Sequence, residues 1–220
     1  MVCAGYLGCE AYDLILYICR TLTKLKLRVL IIDLSPSAAL QKSVKHGMGL
    51  DSTREIINYR DINYTRRMPG KEELEAYTEG AVFLYYGSSY MDQKQPECDF
   101  MNIITGIFPH QIEEVNQMLR KLPARAVKLK VLIRDMITFE DTGRVIESLE
   151  LPVSPERISS IYLDMNDYES AVDCQISQLV RFTRISKQTK KYITEQIHDM
   201  FPYLTGKRIM KAMALARRGV

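Results

Sequence analysis

Runs of consecutive apolar residues constrain the fold of this chain more than any other feature. Three of these runs lie within "RVLIIDLS", "GAVFLYYGSS" and "AVKLKVLIRDM", where apolar side chains fall on both faces of an extended backbone. Strands of this kind are typical of parallel sheets, because helices cover both faces of such a sheet. Segments with helical spacing separate the runs, and residues 10–25 are the clearest of them. The alternation predicts an α/β fold with a parallel sheet and helices on both faces.

The 220 residues are enough for one α/β domain. We predict a single domain over residues 1–220 that becomes helical from about residue 167. A short strand is expected at residues 2–5 and a helix at residues 35–49, where Pro36 stands in the first turn. Short strands are expected on either side of Arg60 and Asp61.

Composition excludes several classes of protein. The net charge is only +3, so it gives little reason to expect nucleic acid as a partner. The five cysteines form no CxxC pair and the three histidines lie far apart, which predicts reduced thiols and no metal. No apolar run is long enough to span a bilayer and no secretory leader is evident, so we expect a cytoplasmic protein.

The segment "GYLGCEAY", residues 5–12, lies where many nucleotide-binding folds hold a phosphate, between the first strand and the first helix. The strand, the glycine-containing segment, the long helix and the strand "RVLIID" together resemble the start of the MinD/ParA-type P-loop ATPases. This deviant Walker A class includes CpaE-like proteins of pilus assembly. The later segments "KVLIRDM" and "ISSIYLDMNDYESAV" are similar to later strands and a helix of the same family.

The resemblance implies a phosphate loop that has lost its chemical groups. The two glycines match the family's loop, but tyrosine or alanine stands at each lysine position, tyrosine replaces the magnesium-binding hydroxyl, and glutamate replaces the last glycine. We therefore expect a P-loop-like turn that no longer holds Mg-ATP in the usual way, which is typical of a pseudo-ATPase. The residues of this degenerate loop and the aspartate that survives after the second strand are Gly5, Gly8, Glu10, Ala11, Tyr12 and Asp33.

Other interpretations of individual positions stay open. Asp33 has three of them: a cap of the next turn, a relic of the family's switch, or a ribose ligand of a dinucleotide-binding fold. Cys9 stands near a helix N-terminus, where a thiolate nucleophile is favoured, but no histidine is near in sequence and Glu10 would raise its pKa. A structural thiol is the favoured interpretation.

Two segments are candidates for contacts with partners. "YRDINYTRR" interleaves arginine with tyrosine, which suits a protein-binding surface and also single-stranded nucleic acid. The candidate residues are Tyr59, Arg60, Tyr64, Arg66 and Arg67. In "GKRIMKAMALARRGV" one helical face carries Ile209, Met213 and Ala216; this face is thin for a membrane-surface helix, so packing on the domain is favoured over membrane contact.

The resemblance implies a non-hydrolysing adaptor or positioning protein that needs no cofactor and acts through protein partners. Pilus or secretion assembly is the implied setting, with a location at the inner face of the membrane and a homodimer across the former nucleotide face. Two alternatives stay open. One is an ATPase that binds ATP through an atypical loop, and the other is a Rossmann-type dinucleotide-binding module.

Overall fold

The computed structural model describes residues 1–42, 56–88, 97–122 and 128–218. The strands in these ranges are β1 (Val2–Gly8), β2 (Val29–Asp33), β3 (Ile57–Tyr59), β4 (Ile62–Thr65), β5 (Ala81–Gly87), β6 (Phe100–Thr105), β7 (Lys128–Met136) and β8 (Arg157–Tyr162). The helices are α1 (Tyr12–Lys24), α2 (Ala39–Lys42), α3 (Lys71–Glu75), α4 (Pro109–Leu119), α5 (Asp141–Ser148), α6 (Met165–Ser177), α7 (Lys187–Met200) and α8 (Gly206–Ala216).

These strands form one eight-stranded sheet in the order β3-β4-β2-β5-β1-β6-β7-β8. Every neighbouring pair is parallel except β3 and β4, which form an antiparallel hairpin at one edge. The hairpin turn consists of Arg60 and Asp61, whose φ angles are 51° and 68°. Positive φ at both central residues suits the right-handed twist of a two-residue hairpin. The predicted α/β fold with a mostly parallel sheet is therefore confirmed.

Helices cover both faces of the sheet. On one face α1, α7 and α8 pack over a core that includes Tyr6, Phe83 and Tyr85. On the other face α4 and α5 pack over Leu7, Leu84 and Tyr86. Consecutive residues of β1 and β5 thus point to opposite faces, as the pleat of a strand requires. Full burial on both faces explains why these strands are apolar at every position.

Strand β1 is longer than the sequence predicted, and the expected turn beginning at Gly5 is wrong. The strand runs to Gly8, and it pairs with β5 through Leu7 and with β6 through Gly8. Tyr6 and Leu7 are buried on opposite faces, so the segment gains apolar contacts as strand that it would lose as a loop. The backbone groups of residues 5–8 are used in the sheet and do not form a phosphate cradle.

The C-terminal region is helical from Met165, two residues before the predicted start. Helix α8 buries Ile209, Met213 and Ala216, and it packs against α1 and α7. This agrees with the packing favoured from the sequence, because the apolar face that could enter a bilayer is buried in the domain. None of the helices in the described ranges has the length and apolarity needed to cross a membrane.

The helix predicted at residues 35–49 can be compared with the structure only in part. It begins later than predicted, as α2 at Ala39, because Ser35 and Ser37 belong to the turn that follows β2. The remainder of the predicted helix, from residue 43, lies outside the described residues.

Candidate functional site

The connection between β1 and α1 forms the centre of the candidate site, at the edge where the parallel strands end. It contains three residues, Cys9, Glu10 and Ala11. Gly8 ends the strand with a φ of 117°, and a Cβ there would lie 1.9 Å from the carbonyl oxygen of Ile104. The backbone N–H of Cys9 donates to that same oxygen at 2.8 Å. Gly8 is thus required for β1 to end in close contact with β6.

Gly5 has a packing role rather than a phosphate-binding one. A Cβ at this position would lie 2.7 Å from Sδ of Met101 and 3.3 Å from Sγ of Cys98. The two sulfur-containing side chains therefore occupy the space that a larger residue would need. The first glycine of the expected loop lies inside the sheet and away from any ligand at the strand ends.

Glu10, which the resemblance matched with the last glycine of the family's loop, is held by a hydrogen bond. The hydroxyl of Tyr85, on the neighbouring strand β5, donates to Oε2 of Glu10 at 2.9 Å. Burial raises the pKa of the Tyr85 hydroxyl, and the carboxylate of Glu10 raises it further, so the tyrosine stays a donor. The pair fixes a carboxylate beside the N-terminus of α1.

An ion pair occupies the same helix N-terminus from the other side. Nη1 and Nη2 of Arg134, on β7, donate to the two carboxylate oxygens of Asp13 at 2.9 Å each, and Nη1 also donates to the carbonyl oxygen of Glu10 at 2.9 Å. Burial alone would lower the pKa of Arg134, but the Asp13 carboxylate raises it, and the guanidinium stays charged.

A small cleft of about 180 Å³ opens next to this ion pair, between the ends of β7 and β8 and the start of α6. Its lining includes the acidic residues Glu10, Asp13, Asp135, Asp164 and Asp167, and within the described residues Arg134 is its only basic lining residue. Asp167 accepts from the backbone N–H of Ser186 and from the hydroxyl of Thr189, so it ties α6 to α7. Asp164 caps α6 through the N–H of Asn166.

These residues do not fit Mg-ATP in the manner of a P-loop. A P-loop surrounds the phosphates with backbone N–H groups, a lysine and a magnesium-binding hydroxyl, whereas this connection has three residues and is followed by Tyr12. The positive end of the α1 dipole already faces the carboxylates of Glu10 and Asp13. At about 4 Å and an effective dielectric constant of about 20, two like unit charges repel by about 4 kcal/mol. A triphosphate would meet this repulsion at Glu10, whereas the charge of Asp13 is balanced by Arg134.

Asp33 has a local partner in the turn after β2. Its Oδ1 accepts from both the backbone N–H and the hydroxyl of Ser35. Aspartate side chains commonly accept a hydrogen bond from the backbone N–H two residues further on in such turns. Of the three interpretations of Asp33, the cap of the next turn describes this arrangement. Arg66 also stabilises this turn, because its Nη2 donates to the carbonyl oxygen of Ser35 at 2.9 Å.

The residues of the predicted partner surface differ in their burial and in their contacts. Tyr64 is only 4% exposed and belongs to the core, so its inclusion in that surface is wrong. Successive side chains of β4 point to opposite faces of the sheet, so Tyr64 packs in the core beneath α1 while the half-buried Asn63 lies on the other face. Arg67 pairs with Glu73 on α3. The hydroxyl of Tyr59 donates to the carbonyl oxygen of Gln178, and Arg60 is exposed above the Tyr59 ring. No contact with a partner follows from these positions.

Cys9 has the environment of a structural thiol. Burial raises the pKa of its thiol, which makes the reactive thiolate less populated. This direction agrees with the interpretation favoured from the sequence.

An exposed apolar surface beside the cleft was missed by the sequence reasoning. We call it the strand-end patch, and it consists of Ile137, Phe139, Leu163, Met165 and Tyr168, each at least 61% exposed. The backbone N–H of Leu163 donates to the carbonyl oxygen of Met136, which brings the segments after β7 and β8 together. The signal in the sequence is that apolar residues continue past Met136 and Tyr162, where β7 and β8 end.

The mostly parallel sheet with helices on both faces matches the α/β fold of MinD/ParA-type structures. Comparison with solved structures finds a ParA family ATPase from Chlorobium tepidum TLS (TM-score 0.59, 12% identity, 89% of this chain and 98% of that one). It also finds the MinC:MinD cell division protein complex of Aquifex aeolicus (TM-score 0.57, 12% identity, 99% and 95%).

A third similar structure is a putative plasmid partition protein from Borrelia burgdorferi B31 bound to AMPPNP (TM-score 0.55, 13% identity, 92% and 99%). No protein-family model matches the sequence, and no curated protein matches it either. At such low identities the comparisons establish the fold alone.

Proposed function

We propose that this chain is a non-hydrolysing adaptor or positioning protein built on the MinD/ParA fold. The observation that carries the proposal is the three-residue connection from Cys9 to Ala11, which brings the carboxylate of Glu10 to the N-terminus of α1. The fold of positioning and partitioning ATPases supports the general role, and the charge at the connection supports the loss of Mg-ATP. The setting in pilus or secretion assembly is proposed from the CpaE-like resemblance of the sequence alone.

The test combines nucleotide hydrolysis with ligand-dependent stability. Phosphate release from Mg-ATP is measured on the purified chain, and thermal melting is followed with ATP, ADP and NAD, with and without Mg²⁺. A ligand at about 100 times its Kd stabilises the fold by about 2.7 kcal/mol, which melting detects easily. We expect no release above background and no shift. A shift with Mg-ATP would favour the atypical ATPase, and a shift with NAD alone would favour the dinucleotide-binding module.

We further propose the strand-end patch as the surface that contacts a protein partner. Monomeric proteins seldom leave several large apolar side chains exposed together, and such patches commonly mark interaction sites. Exposed acidic residues accompany the patch, namely Asp135, Glu140 and Glu169. A second copy of the chain placed face to face would bring these like charges together. We therefore propose a partner segment that carries apolar residues flanked by lysine or arginine.

Two synthetic amphipathic helical peptides test this partner chemistry. Both present the same leucine face, and one carries lysine where the other carries glutamate. We expect the lysine peptide to bind in fluorescence anisotropy, and the double variant Phe139→Ser with Leu163→Ser to weaken binding at least about tenfold. Ile176→Ser is the control, because Ile176 is 80% exposed at the far end of α6.

Two results would contradict the proposal for the patch. Equal binding of the two peptides, or binding that the double variant leaves unchanged, would exclude charge-assisted docking at this surface. Self-association in analytical ultracentrifugation that the double variant abolishes would assign the patch to a homodimer instead.

A further inference from the structure

Two cysteines that are distant in the sequence lie next to each other where the central strands begin. Sγ of Cys3 and Sγ of Cys98 are 3.6 Å apart, although the residues are separated by 95 positions. Cys3 lies near the start of β1, and Cys98 directly precedes the segment that enters β6. This pair is distinct from the candidate site, which lies where the strands end.

The backbone around the pair is held in place by hydrogen bonds. The N–H of Cys3 donates to Oδ2 of Asp99 at 2.8 Å, and the N–H of Asp99 donates to the carbonyl oxygen of Cys3 at 2.8 Å. Because Asp99 lies opposite Cys3, Cys98 is offset by one residue along the strand. A strand spacing of about 4.8 Å and a rise of about 3.3 Å per residue then separate the Cα atoms of Cys3 and Cys98 by about 6 Å, which falls within the range that disulfides span. Bond formation requires the sulfur atoms to approach by about 1.5 Å, the difference from an S–S bond of about 2.05 Å.

Gly5 provides the room for this pair. Sγ of Cys98 lies 3.3 Å from the position that a Cβ of Gly5 would take. The absence of a side chain at Gly5 therefore lets the Cys98 thiol lie against β1, beside Cys3. This explains, on packing grounds, the glycine that the family resemblance had assigned to a phosphate loop.

We propose that Cys3 and Cys98 form a reversible intramolecular disulfide when the chain meets a low-molecular-weight disulfide such as glutathione disulfide. Cys98 is partly exposed, whereas Cys3 is 2% exposed, so Cys98 reacts first. Its thiolate attacks one sulfur of glutathione disulfide, the bond between the two glutathione sulfurs breaks, and one glutathione leaves. Cys3 then attacks Sγ of Cys98, its proton passes to the departing glutathione sulfur, and the second glutathione leaves as a thiol.

Electrons and protons balance over the two steps. Two protein thiols lose two electrons and two protons in total, and one glutathione disulfide is reduced to two glutathione thiols. The order of attack has a second support: the hydrogen bond with Cys98 and burial raise the pKa of Cys3, so Cys3 remains a thiol until its neighbour has been modified.

The experiment treats the full chain with glutathione disulfide and maps its cysteines by mass spectrometry. We expect two of the five thiols to disappear and a peptide in which Cys3 is joined to Cys98. The melting temperature should rise, because the bond closes a loop of roughly 95 residues in the unfolded chain. Dithiothreitol should reverse both changes.

Single variants test the direction of the reaction. Cys3→Ala should leave one glutathione attached to Cys98, since the second thiol is missing. Cys98→Ala should leave Cys3 unmodified, because Cys3 is buried. Cys9→Ala is the matched control, a partly buried thiol beyond the opposite end of β1, and it should form the disulfide like the unaltered chain. Melting curves under reducing conditions verify that each variant folds.

Three results would overturn the proposal. One is five unmodified thiols after oxidation, the second is a disulfide that includes Cys9, Cys19 or Cys174, and the third is a bond between two chains. Glutathione attached to Cys3 in the Cys98→Ala variant would contradict the order of attack.

Discussion

At the scale of single residues, Gly8 distinguishes a structural glycine from one that serves a ligand. Its φ of 117° and the 1.9 Å approach of a Cβ to the Ile104 oxygen predict that Gly8→Ala destabilises the fold by about 2 kcal/mol or more. Urea unfolding of the variant measures this directly. A glycine that served only to admit a phosphate could be replaced with little loss of stability.

Gly143→Ala is the matched control for this substitution. Gly143 lies in α5, and nothing lies within 4 Å of the position that its Cβ would take. Alanine should stabilise a helix interior there by about 0.5–1 kcal/mol relative to glycine. Equal stability of Gly8→Ala and the unaltered chain would contradict the packing role of Gly8.

The ion pair between Asp13 and Arg134 supports a second prediction. The side chains are 4% and 17% exposed, so Asp13→Asn leaves a largely buried guanidinium without its carboxylate. We expect a loss of about 3–5 kcal/mol in the free energy of unfolding, measured by urea titration. Glu150→Gln is the control, because Glu150 pairs with Arg120 where both side chains are about half exposed. That change should cost at most about 1 kcal/mol.

Equal costs of Asp13→Asn and Glu150→Gln would mean that the ion pair is not part of the structural core of the site. Arg134 would then be available to bind a ligand in the cleft, and a ligand could reach the N-terminus of α1.

At the scale of elements, α8 offers a comparison within one helix. Met213 is 1% exposed and packs in the core, whereas Met210 is 48% exposed. Met213→Ala should destabilise the fold by about 2–5 kcal/mol, and Met210→Ala should change it by no more than about 0.5 kcal/mol. Chemical unfolding of the two variants tests this directly. Similar values for both would mean that α8 does not dock on the domain in solution, and the membrane alternative would return.

The elements that could be predicted from the sequence are those with a strong periodic or local signal. The apolar runs of β2, β5 and β7 predicted buried parallel strands, and the residues flanking Arg60 and Asp61 predicted two short strands. The antiparallel pairing of these two strands was not predicted. β1 was predicted too short because Gly5 and Gly8 are glycines, and glycine inside a strand weakens the pattern. Both glycines are explained by the close approach of β6 and its flanking residues, which are distant in the sequence and contribute to no local pattern.

At the scale of the whole molecule, the sheet brings together residues that no spacing in the sequence connects. Glu10 with Tyr85, Arg134 with Asp13, and Cys3 with Cys98 are separated by 75 to 121 positions. That residues 5–12 contain no lysine and no serine or threonine is evident from the sequence, because it concerns residue types in one segment. Which distant side chains contact this segment could not be predicted, since it depends on which strands are neighbours and where each one ends.

Isothermal titration calorimetry with Mg-ATP on the unaltered chain tests the central claim most directly. We predict no heat of binding at high protein concentration, because the three-residue connection offers no phosphate cradle and Glu10 and Asp13 already face the α1 N-terminus. A saturable, Mg²⁺-dependent binding isotherm would contradict this prediction, and would show that the chain binds nucleotide through another arrangement.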